Sequence, residues 1–223
     1  MDIPTNVSSC FQPASRVTLI NIAPSATTEA EIADKAKLEF RKCDSPAERL
    51  RYACIASGLS RLKTFLRTLR KNPQFTLNEL WQLTQKLSIQ LTDKDLDSLI
   101  EKYSRNGRID VERLTRDVRV PMVRSRLQLV SQIFDSISEN QPQVEISKLL
   151  RHFCFKNDRD FVAGKKTDFQ IVERFKKDFN LDEHEQTDGK VEKDDFLNYY
   201  GAMSFGANSD AYFDLYMRQT WRF

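Results

Sequence analysis

From Glu29 onward, apolar residues return along this chain at the spacing of one buried helix face. Leu59, Leu62, Phe65, Leu66 and Leu69 follow the i, i+3, i+4 rhythm of an amphipathic helix. Leu77, Leu80, Trp81, Thr84 and Leu87 make a second such face, and Leu96, Leu99, Ile100 and Tyr103 a third. Thr92 with Asp95 three residues later marks the start of that third helix, because each side chain satisfies a backbone N–H of the other. Val111, Leu114 and Val118 form a fourth face. Pro121 suits a first helical turn and predicts a helix carrying Val123, Leu127, Val130 and Phe134. Four more faces follow: Ile146, Leu149, Leu150 and Phe153; Phe169, Val172, Phe175 and Phe179; Phe196, Tyr199, Tyr200 and Met203; Tyr212, Phe213, Tyr216 and Met217.

The faces fall into pairs around short polar stretches, each holding one β-prone residue: Phe75, Ile109, Val144 and Val191. These stand 34, 35 and 47 residues apart, the last step lengthened by an insertion around Phe155 to Lys166. A helix-loop-helix repeat of this kind is the EF-hand geometry, in which the hydrophobe at loop position 8 pairs through backbone hydrogen bonds with its counterpart in a neighbouring hand. The expected fold is therefore all-α, with four EF-hand-like units in two lobes over residues 46–120 and 121–223. Residues 1–45 make an N-terminal arm and a lead-in helix. The arm is rich in Ser, Thr, Ala and Asn, and Pro4, Pro13 and Pro24 deny it a long helix. Its cluster Val17, Leu19, Ile20 and Ile22 leaves two readings open: a loose tail, or an extended segment that docks on a partner or on its own domain.

Composition narrows the function classes. The 15 Phe supply bulky core material, and only 6 Gly and 7 Pro leave room for long helices. A net charge of +3, from 35 basic and 32 acidic residues, lacks the basic stripe of a nucleic-acid binder. Val17 to Ile22 is too short for a membrane span or a signal segment, which gives the expectation of a cytoplasmic chain without a membrane anchor. Cys10, Cys43, Cys54 and Cys154 are too scattered for a zinc site and read as reduced thiols.

Calcium binding requires oxygen ligands at loop positions 1, 3 and 5, Gly at 6, a backbone carbonyl at 7 and a bidentate carboxylate at 12. Counted from Phe75, the first loop places Thr68, Arg70 and Asn72 at 1, 3 and 5, Pro73 at 6 and Glu79 at 12. Proline fixes φ near −65° where the turn needs positive φ. The second loop has Lys102 at position 1 and Arg113 at 12; the third has Ile137, Glu139 and Gln141, then Pro142 at 6 and Lys148 at 12. Only the fourth keeps metal-binding chemistry, with Asp188 at 5, Gly189 at 6, Glu192 at 9 and Asp195 at 12. His184 and Gln186 occupy positions 1 and 3, and Asp182 lies upstream where the lengthened loop can wrap back. Asp182, Asp188, Glu192 and Asp195 are thus the candidate ligands of a weak calcium site, and no other cofactor is expected.

Outside the loops, Ser45-Pro46-Ala47-Glu48-Arg49-Leu50-Arg51 with Cys54, Arg119-Val120-Pro121-Met122, Ala163-Gly164 before Thr167, Asn198-Tyr199-Tyr200 and Thr220-Trp221-Arg222-Phe223 resemble the calcyphosine and calcyphosine-like family, in unbroken order from about Ala33. The resemblance implies a four-hand, two-lobe, calcium-binding-like protein of ciliated and flagellated cells. Tubulin or other axonemal proteins are the partners it suggests.

Catalysis finds little support. His152 and His184 are the only imidazoles, and His152 reads as a structural residue of an apolar helix beside Phe153. Gly164-Lys165-Lys166-Thr167 resembles the end of a phosphate loop, yet Arg159 stands where the first glycine belongs. The aromatic ending around Tyr212 to Trp221 fits core packing or a groove-binding face. The expectation is a non-enzymatic structural or interaction protein, largely independent of calcium. The alternative is a calcium-responsive regulator that senses the ion through its fourth hand alone.

Overall fold

Three threonines open helices by one device. Thr28, Thr76 and Thr92 each accept from the backbone N–H three residues on, while Glu31, Glu79 and Asp95 reach back to the threonine's own N–H. These capping boxes satisfy donors that a helix start leaves unpaired. The computed structural model describes residues 28–179 and 189–223. Its helices are α1 (Glu29–Lys42), α2 (Pro46–Ala56), α3 (Leu59–Lys71), α4 (Leu77–Lys86), α5 (Asp93–Tyr103), α6 (Val111–Val118), α7 (Arg124–Ser138), α8 (Ile146–His152), α9 (Arg159–Val162), α10 (Asp168–Phe179), α11 (Lys193–Gly206) and α12 (Asp210–Trp221). The only strands among the described residues are β1 (Ser104–Arg105), β2 (Arg108–Ile109), β3 (Gln143–Glu145) and β4 (Lys190–Glu192), so the fold is all-α as expected.

The four β-prone residues couple the helix pairs. Val144 stands opposite Val191 in the antiparallel β3–β4 ladder, and the Ile109 N–H donates to the Phe75 carbonyl at 2.8 Å. All four side chains are buried. The helix-loop-helix unit α3–α4 is thereby joined to α5–α6, and α7–α8 to α10–α11.

The halves also pack on each other. α3 lies against α11 and α10, and α1 bridges α2 and α11. One cluster of buried side chains runs from Ile32 through Phe65 and Leu69 to Phe196 and Trp221. Gly206 marks the closest approach: a Cβ there would stand 2.3 Å from Ile32 Cγ1, so only glycine lets α1 seat on the end of α11. Trp221 is buried against Phe153, Phe175, Phe196 and Tyr200, and its indole N–H donates to the Tyr200 hydroxyl at 3.0 Å. The aromatic ending is therefore largely core, with Tyr212 alone of its ring residues exposed.

Several expectations are corrected. Pro121 does not start a helix: α7 begins at Arg124, and Val123 and Leu127 face outward while Leu129, Ile133 and Ile137 join Val130 and Phe134 inside. Phe169 is 69% exposed and Ile171 takes the buried place on α10. His152 is exposed at the end of α8, not packed in an apolar interior. Gly164 takes φ +65° in the turn after α9, and Lys166 pairs with Asp160.

Candidate functional site

In a calcium-loaded loop the ion draws the position 12 carboxylate toward oxygens earlier in the loop. In the first three loops a protein group makes an equivalent closure, and in the fourth the position 12 carboxylate is bonded by arginines of the other half. In the first, Glu79 at position 12 accepts from the Thr76 N–H at 2.7 Å, the Thr76 hydroxyl at 2.8 Å and the Asn72 amide, position 5, at 3.1 Å. These donors hold its carboxyl below the ordinary carboxylate range, the Thr76 N–H contributing most. The Gln74 N–H donates to the Asn72 side chain, which turns the chain around Pro73 without glycine.

The second loop is a hairpin. β1 and β2 pair around Asn106-Gly107, both with positive φ (51° and 75°), the signature of a two-residue type I′ turn. Arg113 at position 12 donates to the Lys102 carbonyl at position 1, 3.1 Å away. In the third loop, Glu139 and Asn140 make the turn with φ of 57° and 62°, ahead of Pro142. Lys148 at position 12 pairs with Glu139 at position 3 across 2.6 Å, and this partner holds Glu139 below its usual range. Cation and carboxylate have exchanged places relative to a metal loop.

The fourth loop holds the predicted ligands. Asp182 and Asp188 lie outside the described residues. Gly189 takes the positive φ (63°) required at position 6, and its carbonyl accepts from the Ile146 N–H. Glu192 and Asp195 come together, with Asp194 between them in sequence, but against arginines of the other half. Arg70, itself at position 3 of the first loop, donates to Asp194 at 2.7 Å, Glu192 at 2.8 Å and Asp195 at 3.0 Å. Arg67 donates to the other Asp195 oxygen at 2.8 Å, and Arg119 to Asp194 at 2.6 Å. Asp195 is 1% exposed. Desolvation pushes its carboxyl up against the pull of Arg67, Lys63 and Arg70. For Asp194 desolvation loses to Arg119 and Arg70, which hold its carboxyl low. In the sequence Arg70 reads only as a failed ligand of its own loop. Its role lies with carboxylates more than 120 positions away, and no local pattern signals that.

A second, half-buried acid sits two residues before the undescribed stretch. Asp178 accepts from the Tyr199 hydroxyl at 3.0 Å. Desolvation, then the nearby Glu29, push its carboxyl up to about 6, against the Tyr199 hydrogen bond, Arg174 and Lys63. The Lys63 ammonium, 1% exposed, donates to the Asp178 carbonyl at 2.5 Å, tying α3 to the end of α10.

Among the described residues no three His, Cys, Asp or Glu side chains stand together as a ready metal cluster, and no helix is long and apolar enough to cross a membrane. No family model matches the chain. Over 194 residues, 83% of this chain and 95% of the relative, it is 27% identical to crustacean calcium-binding protein 23 from Faxonius limosus.

Proposed function

We propose that this chain is a non-enzymatic, EF-hand-like interaction protein of the calcyphosine-like type whose helix pairs are held in one state without calcium. One observation carries the reading: every position 12 side chain is bonded to a protein group, and the fourth loop's carboxylates are bonded to arginines from the opposite half. A calcium switch needs the ion to favour one conformation over another. Here an ion entering the fourth loop must compete with Arg67 and Arg70 for Asp195, so the differential affinity that would shift the population is small.

The setting we propose is the ciliary or flagellar axoneme, with tubulin or an associated lattice protein as partner. The family resemblance suggests the setting, and a mildly basic surface suits the acidic surface of tubulin. Attachment then does not depend on a metal. In ciliated cells carrying the tagged protein, extraction with detergent plus a calcium chelator is expected to leave it in the insoluble skeleton. Release into the soluble pool, or a diffuse signal without ciliary enrichment, contradicts the assignment.

A second reading is favoured by the relative's name, which describes a calcium-binding protein. In that reading the fourth loop responds weakly to calcium through Asp182, Asp188, Glu192 and Asp195. It requires Asp195 to exchange its arginine partners for the ion.

A further inference from the structure

A cavity of about 460 Å³ opens between the start of α1, the segment around α9, and helices α10, α11 and α12. Phe175, Tyr199, Met203, Tyr212 and Tyr216 give it one aromatic face, the tyrosine wall, and charged groups including Asp158, Lys165 and Arg174 line the rest. An engineered apolar cavity of about 150 Å³ already binds benzene, so this one has room for several large side chains. Its position relative to the chain is informative. Thr28, the first described residue, is itself part of the lining, together with Glu29, Ala30 and Ile32. The capping box fixes Thr28 in extended backbone (φ −65°, ψ 156°), so the preceding chain leaves α1 at the cavity wall.

We infer that the chain's own arm fills this cavity, with the apolar side chains of Val17 to Ile22 against the tyrosine wall. Three facts converge on this occupant. The twelve residues Val17 to Thr28 carry no charge, so none needs hydration at an aromatic surface. Val17, Leu19, Ile20 and Ile22 are the apolar cluster of the arm. Ile22 precedes Thr28 by six residues, a reach of about 20 Å when extended, and Pro24 between them favours extended backbone. A tether of that length presents the segment at an effective concentration on the order of millimolar. A free partner at cellular concentration competes poorly with it. The cavity is then a self-occupied groove, and partners of the folded protein meet its outer faces.

Methyl-labelled NMR on the full chain tests this. Nuclear Overhauser contacts are expected from the Ile20 or Ile22 methyls to the rings of Tyr199, Tyr212 or Tyr216, unchanged on tenfold dilution. For the double change Ile20→Asp and Ile22→Asp, helix content by circular dichroism equal to that of the wild type checks that the variant is folded. It is expected to abolish those contacts, shift the tyrosine ring signals and raise binding of the dye anilinonaphthalene sulfonate several-fold. Cavity filling by Ala207→Trp is expected to release the arm in the same way and to speed its proteolysis at least tenfold. Absence of contacts in the wild type, with ring signals indifferent to the arm change, overturns the inference. Contacts that fade on dilution overturn it equally, because they place the arm in a second copy.

Discussion

Replacing Arg67 with methionine is expected to destabilise the fold by about 3 kcal/mol at pH 7, because it strips the closest cation from a carboxylate buried between the two halves. Arg67 meets Asp195 at 2.8 Å, and Asp195 is 1% exposed. Water cannot replace the lost partner. Arg70 still reaches the other oxygen at 3.0 Å, which keeps the cost at the lower end of what breaking a buried pair brings. The deficit is expected to shrink as pH falls, since an unpaired buried carboxylate takes up a proton. Pairing the change with Asp195→Leu should recover stability to within about 1 kcal/mol of wild type, because an apolar pair can stand in for a buried ion pair. Urea unfolding of the two variants measures both. A cost under about 1 kcal/mol for Arg67→Met would mean that the halves do not depend on this contact.

The second large effect concerns pH. The Asp178 carboxyl is raised from 3.8 to about 6, burial being the main cause. A raised acid means that the folded state binds the proton more tightly than the unfolded state. The contribution of Asp178 to stability is therefore best below pH 4 and is lost as pH rises to 6, staying lost above. The span corresponds to on the order of 2–3 kcal/mol. Asp178→Asn removes the titration while keeping an acceptor for the Tyr199 hydroxyl. The variant is expected to be more stable than wild type by that amount at pH 7, with the gap closing between pH 6 and pH 4. Comparing the two proteins cancels the acids held low elsewhere, such as Asp194 and Asp160, whose stability runs the other way. A gap that does not change with pH would place the Asp178 titration outside this window.

Much of the architecture was legible in the sequence because it rests on local rules. The i, i+3, i+4 faces gave the helices, Thr92 and Asp95 gave a helix start that the structure keeps, and the four spaced β-prone residues gave the coupling of the units. Errors arose where one residue fits two rules. Pro121 suits a helix start but lies three residues before α7, and Phe169 shares the period of α10 without sharing its buried side. Glu79 falls at a metal position by loop counting, although Thr76-x-x-Glu79 is also a capping-box pattern, and the capping box forms. The candidate site was legible only in part. Loop counting identified which ligands are wrong for calcium, and it could not show where the offending cations go. Arg113 and Lys148 close their own loops, and Arg70 closes another unit's, a contact fixed by the packing of α3 on α11.

Calcium titration by calorimetry on the full chain, from micromolar to millimolar ion, tests most directly whether protein groups have replaced the metal. Heat is expected only in the millimolar range, with no change in helix content or tyrosine environment below it. Two or more sites of micromolar affinity would contradict loops closed by arginine, lysine and amide groups.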